Sequence, residues 1–180
     1  MNAGQKKKAV FLDRDGVINA VVHHQGVEKP SSPWTLEEFT FMDGVTKPLI
    51  ELKNMGFLLF IFSNQPDIAR GNIKPGVTEE INSRIKEKLP IDDIAVCPHD
   101  YTDNCDCRKP KPGLLLQLAD QWNIALSQSF VIGDSWKDIE AGNNAGCTSI
   151  LIETYYNKEV TAFFKCKNLQ QAISIIKKNS

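Results

Sequence analysis

The stretch "FLDRDG" sets two carboxylates, Asp13 and Asp15, directly after an apolar run and just before a glycine. Two acids sharing one small site repel each other, and without a cation between them one stays protonated. A divalent metal is the simplest way to hold both in useful states, and Mg2+ suits all-oxygen ligands. Alone, a D-x-D-G fragment reads equally well as a loop turn or a piece of a calcium-binding loop. A third acid, Asp134 in "VIGDSWKD", also ends an apolar run, and Asp138 follows four residues later. Asp138 has a second reading, as a helix N-terminal acid favoured by the helix dipole. "FSNQ" places Ser63 and Asn64 past another apolar run, where a hydroxyl and an amide can hold phosphoryl oxygens, and Lys109 supplies a positive charge.

A second constellation lies in "CPHDYTDNCDCRKPKPG". Cys97, His99, Cys105 and Cys107 form C-x-H-x5-C-x-C. Three thiolates and an imidazole are a complete tetrahedral zinc set with no position left for substrate or water, so the metal would be structural. A zinc there staples a loop that has no core of its own and aims Arg108 and Lys109. The alternative is unliganded cysteines in a flexible loop. Cys147 and Cys166 read as ordinary buried thiols.

These residues need strands and helices to bring them together. Ala9–Leu12, Phe57–Phe62, Asp93–Cys97, Phe130–Ile132 and Thr148–Ile152 are short apolar runs of the kind that form buried parallel strands. Between them "TKPLIELKNMG" has proline in its first turn and glycine at its end, and "TEEINSRIKEKLP" carries Ile81, Ile85 and Leu89 at helical spacing. Further helices are expected from Pro112 to Trp122, from about Trp136 to Ala145, and over about 168–178. Strands alternating with helices predict an α/β, doubly wound, Rossmann-like parallel sheet with ligands at the strands' carboxyl ends. The segments after the first strand and after Cys97 break the alternation and are the candidate site loops.

The 180 residues suit one domain, 1–180, with a catalytic core over about 8–156. Hydrophobic residues at 42% and charged residues at 24% exclude a disordered or fibrous chain. A net charge of -1, with no basic run beyond Lys6 to Lys8, argues against nucleic acid as a partner. The apolar stretch after those lysines is too short for a signal core, and no run reaches the roughly 18 residues of a membrane helix. A cytoplasmic protein with reduced cysteines is expected.

Asp13 and Asp15, Ser63, Lys109 and Asp134 resemble, in order, the four motifs of the haloacid dehalogenase (HAD) superfamily of phosphohydrolases. The resemblance covers about Lys8 to Tyr156. It implies that Asp13 is the nucleophile that becomes an aspartyl phosphate and that Asp15 carries the proton. It further implies Mg2+ held by Asp13, the backbone carbonyl of Asp15 and Asp134, with Asp138 in support through water. Ser63 and Lys109 would bind the transferring phosphoryl oxygens. The combination "DRDGVIN", "SNQ", "CPH…CDCRKPKPG" and "IGD" is similar to the zinc-containing histidinol-phosphatase and heptose-bisphosphatase subgroup, whose heptose members act on lipopolysaccharide precursors. Substrate contacts are then implied for Asn64, Arg108, Val21, Val22, His23 and His24, the last four in a flexible segment expected to fold over the sugar. "SNQPDIARG" and "RKPKPGLLL" look like the heptose enzymes, whereas the short x5 spacing is closer to the histidinol-phosphatase form, and a related sugar phosphate is a third reading. Pro66 and Asp67 stand where a small residue and glycine are usual, and Ser135 where the heptose enzymes commonly have lysine. The resemblance implies a small phosphorylated sugar or amino-alcohol substrate. The absence of a cap insertion before Ser63 or Lys109 implies that a monomer forms the whole site. A reading of another class, a zinc-stapled binding module without catalysis, predicts a broken catalytic set, but every catalytic-type residue is present.

Overall fold

The protein is described here from a computed structural model over residues 6–180; the first five residues of the expected 1–180 domain lie outside the described residues. Six strands, β1 (Ala9–Leu12), β2 (Leu58–Asn64), β3 (Asp93–Cys97), β4 (Phe130–Gly133), β5 (Thr148–Ile152) and β6 (Phe164–Cys166), form one sheet in the order β3-β2-β1-β4-β5-β6. Every pairing is parallel. The chain winds outward in one direction from β1 through β2 and β3, then restarts on the other side of β1 with β4. The switch point therefore falls between β1 and β4, where the diverging connections leave a crevice at the carboxyl ends.

Alternating side chains cover the sheet's two faces. Val10, Leu12, Leu59, Ile61, Ile132 and Ile150 share a core with α1 (Thr46–Asn54), α3 (Val77–Lys88) and α6 (Leu169–Asn179). Phe11, Phe60, Phe62 and Val131 share the opposite core with α4 (Gly113–Trp122) and α5 (Trp136–Asn144). The helix signals operate as the sequence predicts. α3 has Glu79 and Glu80 in its first turn and Lys86 and Lys88 in its last, matching the dipole, and α4 follows Pro112 and ends at Asn123 in the left-handed region at φ 56°. No cap domain is inserted among the described residues. The segment between β1 and α1 is held instead by isolated bridges, Val22 with Ser31 and Asn19 with Phe41.

Two elements go beyond the sequence expectation. Pro66, expected to stiffen a turn, opens a one-turn helix, α2 (Pro66–Ala69), with its fixed φ at the first helical position. β6 is three residues long with Lys165 exposed at its middle, and it extends the sheet beyond β5. α6 packs beside α1, where Glu51 pairs with Lys177 and accepts a hydrogen bond from Gln170 at 3.1 Å. Ile173 of α6 is fully buried in the first core. Ile173→Ala should cost about 2–5 kcal/mol in urea unfolding, through lost burial and the cavity left behind. A loss below about 1 kcal/mol would show that α6 is peripheral to that core.

Candidate active site

Asp13 is the first residue past β1, and its N–H donates to the Ile132 carbonyl of β4 at 2.9 Å, which draws it to the switch point. Its Oδ1 receives the Lys109 ammonium at 2.7 Å and the Arg14 N–H at 2.8 Å. Lys109, only 4% exposed, also lies 2.6 Å from Asp138 Oδ1, donates to the Phe62 carbonyl at 3.1 Å, and stands 4.3 Å from the Phe62 ring centroid. One cation thus bridges the carboxylates that follow β1 and begin α5.

Asp15 is tethered on both oxygens. Oδ2 accepts from Gln65 Nε2 at 2.6 Å, and Oδ1 accepts from Asn19 at 2.9 Å and from Arg14 at 3.3 Å. The same Gln65 amide donates to Ser63 Oγ at 2.8 Å, joining the ends of β1 and β2. Arg14 is fully buried and reaches Asn82 of α3 at 3.3 Å. Gly16 is required twice over: its φ is +90°, and a Cβ there would lie 2.0 Å from Asp134 Oδ2. Asp134 Oδ2 accepts a short hydrogen bond from Tyr156, and the Asp134 carbonyl accepts from Asn157 at 2.7 Å. Asp138, fully buried, accepts from the Ser135 N–H at 2.9 Å and the Ser135 hydroxyl at 2.7 Å. Asp138 therefore closes the first turn of α5 and pairs with Lys109 at once.

Asn64 serves Lys109 through the backbone. Its amide nitrogen donates to the Lys109 carbonyl at 3.1 Å and its oxygen accepts from the Lys109 N–H at 3.0 Å. Arg108 donates to the His99 carbonyl at 2.9 Å, the contact expected of a residue seated on the cysteine loop, and it also lines the cavity. That cavity, about 390 Å³, lies over Asp13, Asp15, Lys109 and Asp134, and its walls include Val21, Ser32, Asn64, Arg70 and Lys137. This volume falls within the range of small-molecule sites.

Three of the residues expected to fold over the substrate are placed elsewhere. Val22 exchanges backbone hydrogen bonds with Ser31 at 2.9 Å, His23 contacts the Tyr155 hydroxyl, and His24 stacks on Trp34 at 3.6 Å between centroids with its Nε2 at the Ser32 carbonyl. The backbone bridge fixes which side chains turn inward, and Val21, Val27 and Lys29 occupy the wall instead. Asp67, expected near the substrate path, does line the cavity, where it is engaged by Asn72 at 2.8 Å and Arg70 at 3.6 Å. Gln65, Tyr156, Asn157 and Lys137 join the site without having been singled out from the sequence; only the position of Gln65, next to "FSN", offered a signal.

Two groups of side chains are arranged to hold metal ions. The ligand atoms of Asp13, Asp134 and Asp138 lie within 4.8 Å of one another, as do those of Cys97, His99, Cys105 and Cys107. In the second group the Sγ of Cys97 is 3.6 Å from both His99 Nδ1 and Cys105 Sγ, and Cys107 Sγ is 3.3 Å from His99 Nδ1 and 3.4 Å from Cys105 Sγ. A tetrahedron with metal–sulfur bonds of about 2.3 Å has edges of about 3.5–3.8 Å. The donor set and its spacing fit a closed soft-metal site. In the first group all donors are carboxylate oxygens and all three residues are buried, which fits a hard cation.

The electrostatics agree. Burial, then Asp138, push Asp13 well above the ordinary carboxylate range, while Lys109 opposes them. Burial and Asp138 push Asp134 up to about 7, with Tyr156 acting the other way. Burial disfavours the Lys109 ammonium, but Asp13 and Asp138 more than offset this and raise its pKa. Because the folded-state value of Asp134 lies above its ordinary 3.8, its stabilising contribution is complete below about pH 4 and is lost as pH rises through about 7. With the carboxylate site kept free of divalent ions, Asp134→Asn should therefore melt several degrees higher than the parent at pH 8 and about equally at pH 4, at about 2–4 °C per kcal/mol for this size. An Asp134→Asn gain that is the same at both pH values would contradict the burial argument.

Residues 106–162 match the HAD-hydrolase-like family model. The D-glycero-β-D-manno-heptose-1,7-bisphosphate 7-phosphatase of Pasteurella multocida is 38% identical over 160 residues, covering 82% of this chain and 83% of its own length. The D-glycero-α-D-manno-heptose-1,7-bisphosphate 7-phosphatase of Campylobacter jejuni is 35% identical over 177 residues, covering 96% and 97%. In fold, the chain is similar to the D,D-heptose 1,7-bisphosphate phosphatase from B. bronchiseptica solved with magnesium and phosphate, at a TM-score of 0.81 and 24% identity over 96% of this chain and 99% of that one. With relatives this similar over most of their length, and with acids, serine and lysine gathered at one switch point, the chain belongs to the HAD-like phosphatases, in the family of the heptose-1,7-bisphosphate 7-phosphatases.

Proposed function

We propose that this protein removes the 7-phosphate of D-glycero-D-manno-heptose 1,7-bisphosphate. The observation that carries the chemistry is the Asp13 carboxylate at the cavity floor, with Oδ1 engaged by Lys109 and the Arg14 N–H. Among the described residues no donor engages Oδ2, which is left as the attacking atom. Oδ2 forms a bond to phosphorus as the bond from phosphorus to the sugar oxygen breaks, and the departing alkoxide takes a proton from the Asp15 carboxyl. Asp15, as carboxylate, then takes a proton from water as that water displaces the aspartyl oxygen, which frees inorganic phosphate and restores Asp13. Lys109, which lines the cavity, would neutralise the phosphoryl oxygens, and Ser63, buried beside it and engaged by Gln65 at 2.8 Å, would hold them. Asn64 acts by fixing Lys109.

Asp13, Asp134 and the Asp15 carbonyl would hold Mg2+, with Asp138 in reach. When bound, that ion offsets the charge brought together as a phosphate dianion meets a carboxylate. Cys97, His99, Cys105 and Cys107 would hold Zn2+ and so fix the loop carrying Arg108 and Lys109. The residues of the proposed catalytic set all come from one chain, so a monomer would suffice as the catalytic unit, and a thiolate-rich metal site suits a reducing, cytoplasmic setting.

The choice of substrate rests on the family and on the wall of the cavity. Lys29, Arg108 and Lys137 line it. A second phosphate is welcome there, whereas the amine of histidinol phosphate is not. Assayed with Mg2+ against both anomers of heptose 1,7-bisphosphate, histidinol phosphate and common sugar monophosphates, the enzyme should use a heptose bisphosphate with the highest kcat/KM. Histidinol phosphate outperforming every bisphosphate would overturn the substrate reading. Asp13→Asn should lose at least about 99% of turnover with fold intact, and Asp15→Asn about 10²- to 10⁴-fold. An Asp13→Asn enzyme above a few per cent of the parent rate would refute the covalent mechanism.

Elemental analysis of purified protein should find one zinc per chain. Cys107→Ser should lower the zinc content and the melting temperature and reduce activity indirectly, since Arg108 and Lys109 lose their anchor. Full activity and stability in zinc-free protein would overturn the staple.

A further inference from the structure

The floor and the wall of the cavity treat positive charge differently. At the floor Lys109 is already engaged by Asp13 and Asp138. On the wall Arg70 is paired with Asp100 at 2.7 Å and with Asp67 at 3.6 Å. Lys29, Arg108 and Lys137 also line the wall, yet among the described residues none of the three has a carboxylate within ion-pair distance. The Arg108 guanidinium donates to the His99 carbonyl at 2.9 Å.

Lys137 is the least expected of these. It sits in the first turn of α5, the positive end of the helix dipole, where a lysine is disfavoured. It is half-buried and lies 5.9 Å from the centroid of the Trp136 ring, which also lines the cavity. Like charges gathered on a partly desolvated wall, on top of a helix N-terminus, repel one another unless an anion completes the group. The transferred phosphate does not serve, because its place is at the floor with Asp13 and Lys109.

We infer that Lys137 is a specificity-determining residue which, together with Arg108, holds the phosphate that is not transferred. This rests on the bisphosphate reading above. Arg108 provides a planar fork from the cysteine loop and Lys137 a point charge from α5, so the second phosphate is gripped from two independently anchored elements. Lys29, exposed on the loop between β1 and α1, adds to the potential at the mouth.

The test is the ratio of kcat/KM for heptose 1,7-bisphosphate to that for heptose 7-phosphate, measured for parent, Lys137→Met and Lys137→Arg. Lys137→Met should lower this ratio about ten- to a hundredfold, the range of one charge-assisted contact, and Lys137→Arg should restore most of it. Inhibition by the product heptose 1-phosphate should weaken in parallel in Lys137→Met, a change that a purely structural role would not produce. A parent enzyme with no preference for the bisphosphate would sink the substrate reading and this assignment with it. A parent that prefers the bisphosphate, combined with an unchanged ratio in Lys137→Met, would sink the Lys137 assignment alone.

Discussion

The ammonium of Lys109 lies between Asp13 and Asp138, and much of the molecule is organised to keep it there. A buried charge without partners costs several kcal/mol, so neither the lysine nor the acids around it are tolerable alone. Asn64 clamps the lysine's backbone from the end of β2, Phe62 offers a carbonyl and a ring, and Ser135 orients Asp138 from the start of α5. The ends of β1 and β2 and the start of α5 are thereby tied to one nitrogen. Burial, together with the excess of acid over base left at the site, pushes Asp13 and Asp134 upward, and a further cation fits there.

The cysteine loop belongs to this arrangement because it follows β3 and immediately precedes Arg108 and Lys109. Cys97 is buried at the end of β3, and its carbonyl accepts from Gln65 at 2.8 Å, so the thiol site is rooted in the sheet rather than hung from it. At the loop's other end Gly113 permits α4 to start against it: a Cβ there would meet the Asp106 carbonyl oxygen at 2.2 Å.

The buried strands were legible in the sequence because they are short, mainly apolar and bounded by turn residues, and the catalytic acids because they directly follow such runs. β6 was not legible, since three residues with a lysine in the middle carry no periodic signal. α2 was hidden because one turn is too short to show a helical repeat. The roles of Gln65, Tyr156 and Asn157 depend on hydrogen bonds to residues distant in the chain, which no local pattern encodes. His23 and His24 invited a substrate role by type and neighbourhood, but side-chain direction in that segment is decided by the Val22–Ser31 bridge and by Trp34, features of tertiary structure. Ser135 shows the converse: it departs from the lysine that the family resemblance led one to expect, and its hydroxyl serves Asp138.

The placement of β1 at the centre of the sheet has a consequence for synthesis. Its neighbour β2 follows within about fifty residues, but its other neighbour, β4, begins at Phe130. As the chain leaves the ribosome, β1, β2 and β3 can assemble while one long edge of β1 stays unpaired and Asp13 has neither Lys109 nor Asp138 beside it. Non-local parallel pairing of this kind is slow, and an open apolar edge is prone to wrong partners. Nascent chains halted between β3 and β4 would therefore be the form of this protein most in need of a chaperone.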